Sequence, residues 1–176
     1  MVRKSIGLLI ICLLLCGCKE ALGPDMQLDS ALTDIEVLNE MKTTLTLKDP
    51  SGEVLAKIET ETKNIQDEPV LDMMVNGESK VISADEPLAK LCRFALVGNS
   101  FLNFSRAEDP YGDTIGFEIG SEDYQALSQA LGEWMPSPFQ KVTGTMNLNE
   151  ADALQKMTYQ IETSQGTYQF ELLLEE

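Results

Sequence analysis

Residues 142–176 read VTGTMNLNEADALQKMTYQIETSQGTYQFELLLEE, and their period decides the fold. Met157, Tyr159 and Ile161 alternate with Lys156, Thr158 and Gln160, and Tyr168, Phe170, Leu172 and Leu174 fall on the matching parity. Strict alternation marks strands with one buried and one wet face. Residues 142–148, 154–163 and 167–174 are therefore read as three strands, with Ser164-Gln165-Gly166 turning the last pair.

The same period runs upstream. Met41, Thr43, Leu45 and Leu47 share one face, and Lys42, Thr44, Thr46 and Lys48 share the other. Asp49-Pro50-Ser51-Gly52 is a turn, with Pro presetting φ and Gly free to take a positive one. Val54, Ala56, Ile58, Thr60 and Thr62 then continue the inner parity against Glu53, Lys57, Glu59 and Glu61, giving an antiparallel hairpin. Residues 69–75 and 78–82 flank Asn76-Gly77, the signature of a second hairpin with a type I′ turn.

Helical spacing separates these strands. Leu28, Leu32 and Ile35 predict a short helix starting near Asp29 or Ser30. Asp85-Glu86-Pro87 opens another, with the stripe Leu88, Leu91, Cys92, Ala95 and Leu96, ended by Gly98-Asn99. Phe101, Leu102 and Phe104 form an apolar patch before the loop at Asp109-Pro110-Tyr111-Gly112, and Ile115, Phe117 and Ile119 make a strand. Ser121-Glu122-Asp123 caps a helix with Tyr124, Leu127, Leu131, Trp134 and Met135 on one face, stopped by Pro136 and Pro138. The order predicts an α+β domain built on a strongly curved antiparallel sheet.

The N-terminus carries an address. Arg3-Lys4 precedes an apolar or small run over residues 6–16, far short of the ~20 helical residues that span a bilayer but suited to a signal peptide. Leu15-Cys16-Gly17-Cys18 resembles the lipobox of bacterial lipoproteins, with small Gly17 before the acceptor Cys18. The expected organisation is a signal peptide over 1–17, a tether over 18–27 and one domain over 28–176. A diacylated Cys18 would hold the chain on a membrane without a spanning helix. The expected location is extracytoplasmic, lipid-anchored to the cell membrane, or to the outer membrane where the host has one. With Cys18 lipidated, Cys92 has no disulfide partner and reads as a small buried hydrophobe on its helix.

Composition excludes much chemistry. The chain has 176 residues and no histidine, which removes His triads, His metal sites and imidazole switches. A formal charge of −16 opposes nucleic acid and anionic headgroups. There is no G-x-S-x-G, C-x-x-C or phosphate-loop spacing. The carboxylates sit on wet faces and in turns, and Glu108, Asp109 and Asp113 read as a solvated loop cluster rather than a calcium site. No catalytic residue, metal or cofactor is expected.

Residues 31–61, with the turn KDPSGEVL, and 114–176, with the acidic turn Asn149-Glu150-Ala151-Asp152, together resemble the lipoprotein-carrier superfamily of half-open barrels. Lipid-binding lipoproteins of mycobacterial envelopes are among its members. The resemblance implies a half-barrel whose helices cover the concave face and enclose an acyl chain or other amphiphile. The candidate ligand contacts are Phe101, Leu102 and Phe104, in the segment expected to help cover that face, and the strand methionines Met146 and Met157, whose side chains adapt to variable apolar partners. Residues 65–110 match nothing in that pattern. Two readings stand: a non-catalytic carrier of an apolar or amphiphilic ligand, or an envelope protein-interaction module with a solid core.

Overall fold

A computed structural model describes residues 23–36, 41–65, 68–94, 101–109 and 112–175. The signal peptide and Cys18 lie outside these residues, as do Ala95, Leu96 and Gly98-Asn99. Helix α1 (Pro24–Glu36) leads into β1 (Lys42–Lys48), β2 (Val54–Ile65), β3 (Glu68–Val75) and β4 (Glu78–Ser83). Helix α2 (Pro87–Cys92), β5 (Phe101–Asp109), β6 (Gly112–Ile119), a 3-10 turn over Ser121–Asp123 and α3 (Tyr124–Leu131) follow. The chain closes with β7 (Lys141–Leu148), β8 (Leu154–Thr163) and β9 (Gly166–Glu175). No helix of the described residues is long and apolar enough to cross a membrane.

The nine strands of the described residues form one antiparallel sheet in the order β4-β3-β2-β1-β9-β8-β7-β6-β5. The sheet does not close on itself, so the architecture is the expected α+β half-barrel. Register carries the inner face across the strands in rows. Phe117, Gly144, Tyr159, Phe170, Leu47 and Ala56 are successive cross-strand partners, and so are Ile115, Met146, Met157, Leu172, Leu45 and Ile58. Except for Gly144, each of these side chains is buried. Helix α1 packs against β5 and β8, α2 against β1, and α3 against α2, which covers this face.

The turns hold the register. Asn76 and Gly77 have φ of 50° and 91°, the two positive values a type I′ turn requires. The β1–β2 and β7–β8 turns share one construction. Asp49 Oδ1 accepts from the N–H of Ser51 at 2.8 Å and of Glu53 at 2.9 Å, and Asn149 Oδ1 accepts from Ala151 at 2.9 Å and Ala153 at 3.0 Å. Gly52 and Asp152 each supply the left-handed residue, and each hairpin shifts register at its end.

Several sequence expectations shift. Helix α1 begins at Pro24, inside the stretch read as tether, because proline at the first helical position starts a helix rather than breaking it. Helix α2 ends at Cys92, where Arg93 leaves helical geometry and Phe94 turns left-handed. Helix α3 stops at Leu131; Trp134 and Met135 follow in a turn whose N–H groups donate back to the Leu131 carbonyl. Val54 is exposed, since the shift at Leu47/Lys48 turns it outward. Residues 101–104 are not part of the helical cover but open the edge strand β5.

The two edges of the sheet are protected differently. On β4, Lys80 takes the inner parity opposite Met73 yet remains exposed. On β5, Asn103 is left-handed at φ 53° and the pairing slips between Leu102 and Ser105. An inward-facing charge and a bulge both discourage a further strand from adding.

Candidate functional site

The concave face and its cover form the candidate site. An aromatic chain runs along it. Phe101 meets Phe104 at 6.5 Å between centroids and Phe117 edge-on at 4.7 Å. Phe117 meets Tyr159 edge-on at 5.7 Å, and Tyr159 stacks on Phe170 at 4.2 Å. Gly144 makes this possible: a Cβ there would stand 2.5 Å from Phe117 Cε2. The register shift in β5 puts Phe101 and Phe104, three apart, on one side, while Leu102 points away and is 49% exposed.

Met146 and Met157 are direct cross-strand partners, and neither has any accessible surface. The Tyr159 hydroxyl donates to Met157 Sδ at 3.5 Å. Of the five sequence-derived contacts, Phe101, Phe104, Met146 and Met157 lie on the inner side and Leu102 does not. The two methionines are deep in packed rows and meet no open space in this conformation.

One open space beside the cover lies at the margin. A cleft of about 580 Å³ sits between the β3–β4 hairpin and the helices, lined by Met73, Val75, Leu88 and Trp134 with Glu78, Lys80 and Glu133 at its rim. In the sequence Trp134 reads as part of a helix face that packs on the sheet with Leu127 and Leu131. Placement beside the hairpin follows from the early end of α3, which local spacing does not encode.

On β1 and β2 three threonines interrupt the apolar inner face. Thr43 and Thr60 are cross-strand partners with hydroxyls 2.6 Å apart, and Thr43 Oγ1 donates to the Cys92 carbonyl at 3.0 Å. Thr62, two residues along β2, is also buried. Their inward parity was legible in the sequence, but their polar role was not. A second polar cluster docks α1: Gln27 Nε2 donates to Asp113 Oδ2 at 3.1 Å, and the same oxygen accepts from Arg106 at 2.6 Å. Asp113 is thereby committed to the Arg106–Gln27 contact.

The titratable groups speak to chemistry. Burial pushes the Cys92 thiol up to about 12 and the Tyr159 phenol well above its ordinary value, which leaves both protonated and unreactive near neutrality. Hydrogen bonds from Lys63 and Lys42 hold the Glu61 carboxyl below its ordinary value, and those from Lys141 and Asn103 do the same for Glu118. These carboxylates are on the wet face. Depression is the opposite of what a general acid needs at neutral pH. Among the described residues, no group of acidic or thiol ligands is arranged to hold a metal.

No protein-family model matches the sequence, and no curated protein does. Solved structures do. The fold is similar to that of LprF from Mycobacterium bovis, with a TM-score of 0.54 and 13% identity over 87% of this chain and 91% of that one. The lipoprotein LppX from Mycobacterium tuberculosis aligns with a TM-score of 0.47 and 10% identity, over 86% of this chain and 93% of that one. At 13% identity the likeness to LprF shows the fold alone. The half-open barrel that the resemblance implies is the fold observed.

Proposed function

We propose that this chain is a lipid-anchored lipoprotein of the cell envelope, outside the cytoplasm, whose half-barrel binds or carries an apolar or amphiphilic ligand without catalysis. The observation that carries the reading is the pairing of an open sheet, apolar along two rows of strands, with a cover made of separate short helices. Helix α2 has six residues and α3 eight. Short elements open locally at lower cost than one long packed helix. The marginal cleft at Leu88 and Trp134 is the natural start of such an opening. Each methylene then buried gains about 0.8 kcal/mol, so a few chain segments give useful affinity. The lipobox at Cys18 supports anchoring, and two acyl chains suffice for stable attachment.

A specific observation favours the second reading, an interaction module of the envelope. Leu45, Leu47, Ile58, Met146, Met157 and Leu172 have no accessible surface, so a solid core already fills the concave face at their positions. One experiment separates the readings. Full chain is purified gently from its membrane, its lipid extract is analysed by mass spectrometry, and a fluorescent fatty-acid analogue is titrated. Co-purifying lipid and saturable micromolar binding, unchanged in Leu102→Asp because Leu102 faces outward, are expected of a carrier. Clean protein that binds nothing belongs to the interaction module.

A further inference from the structure

We propose that Thr43, Thr60 and Thr62 form a polar subsite that receives the neutral oxygen function, an ester or hydroxyl, of an acyl-chain amphiphile; this rests on the carrier reading above. The three side chains are 1%, 6% and 4% exposed on a face that is otherwise apolar at this end. Thr43 spends its single proton on the Cys92 carbonyl, so Thr60 is the donor in the Thr60–Thr43 bond. Acceptor capacity remains on Thr60, and among the described residues the Thr62 hydroxyl has no hydrogen-bond partner. A buried hydroxyl without a partner is costly and uncommon. Thr60 and Thr62 are two apart on one strand, so both present to the same side.

The surroundings select the ligand's chemistry. Among the described residues no charged side chain is buried; besides these three, the buried polar side chains are Gln27, Thr163, Tyr159 and Tyr168. A carboxylate brought to this subsite would be desolvated without a counter-charge, whereas an ester carbonyl or hydroxyl is satisfied by threonine. The subsite therefore favours acyl esters and alcohols over free fatty acids.

The cover also fits this role. Cys92 is the last residue of α2, and Phe94, two residues on, is held at φ 59°, a conformation that strains an aromatic residue. Lifting α2 breaks the Thr43–Cys92 bond and presents all three hydroxyls together. Met73 pairs with Thr60 and also lines the marginal cleft, so one adaptable side chain separates the opening from the subsite.

The test uses full chain in its native membranes and two photoreactive probes of equal chain length, a monoacylglycerol and a fatty acid. The expected result is labelling by the monoacylglycerol about fivefold or more above the fatty acid, as one added hydrogen bond implies. Thr62→Val keeps the shape, so it should melt no lower than wild type, yet bring the ratio close to one; Thr60→Val should also lower it. Equal labelling in wild type, or an unchanged ratio in Thr62→Val, overturns the subsite while the carrier reading stands. Labelling by neither probe overturns both.

Discussion

Phe117 lies over Gly144, its ring filling the place where a side chain at 144 would stand. The two are direct cross-strand partners, and the Phe117 ring edge would be 2.5 Å from a Cβ at 144. This absence of a side chain lets the aromatic chain pass from β6 to Tyr159 on β8. Gly144→Ala should therefore destabilise by about 1–3 kcal/mol through overpacking. Phe117→Leu in the same chain should recover part of that loss, because the clash is with the ring. Urea titration of the two single variants and the double checks the coupling; strict additivity would show that the clash is absorbed elsewhere.

Leu131 and Leu102 make a contrasting pair. Leu131 has no accessible surface at the end of α3, so Leu131→Ala should cost about 2–5 kcal/mol. Leu102 points outward from the edge strand, so Leu102→Ala should stay within about 0.5 kcal/mol of wild type. Similar losses for both would contradict the parity that the bulge in β5 imposes.

Alkali should reach the core through its acids. The Cys92 thiol is raised to about 12 in the fold, while a thiol in the unfolded chain titrates near ~8.5. The fold keeps this proton as the unfolded chain releases it, so the associated stability is complete below ~8.5 and is lost as pH climbs toward 12. Tyr159 adds to the loss above ~10, in the same direction. Unfolding midpoints between pH 7 and 11 should fall in wild type and fall less steeply in Cys92→Ala. Parallel slopes would remove Cys92 from the account.

Anchoring has a direct assay. Wild type grown with a labelled fatty acid should carry the label and sediment with membranes, and Cys18→Ala should do neither. Label retained on the mutant would refute Cys18 as the acceptor.

Much of this fold is legible wherever local chemistry and tertiary placement agree. Asn76-Gly77 fixes a hairpin by backbone preference alone, and the alternation from Leu154 to Leu174 states which side chains are inside. Legibility ends where the chain departs from a single period. Asn103 adopts a left-handed conformation in the middle of β5, so Phe101 and Phe104 share a side at a spacing of three, and an edge strand reads as an apolar patch. Pro24 starts a helix where a Gly-Pro pair suggests a spacer. Of the candidate contacts, the inward direction of Met146 and Met157 follows from parity. Whether the space before them is filled depends on helices far away in sequence, and no local pattern encodes that.

The two unlike edges of the sheet bear on behaviour in a crowd. Molecules tethered by the proposed lipid share a plane and collide side by side far more often than in free solution. An open nine-stranded sheet with matching bare rims would, under that confinement, grow into a ribbon. Here one rim offers the Lys80 ammonium and the other a broken ladder at Asn103, so neither rim is a template for the other. The protein can thus stand at high surface density as separate units, each with its concave face to itself.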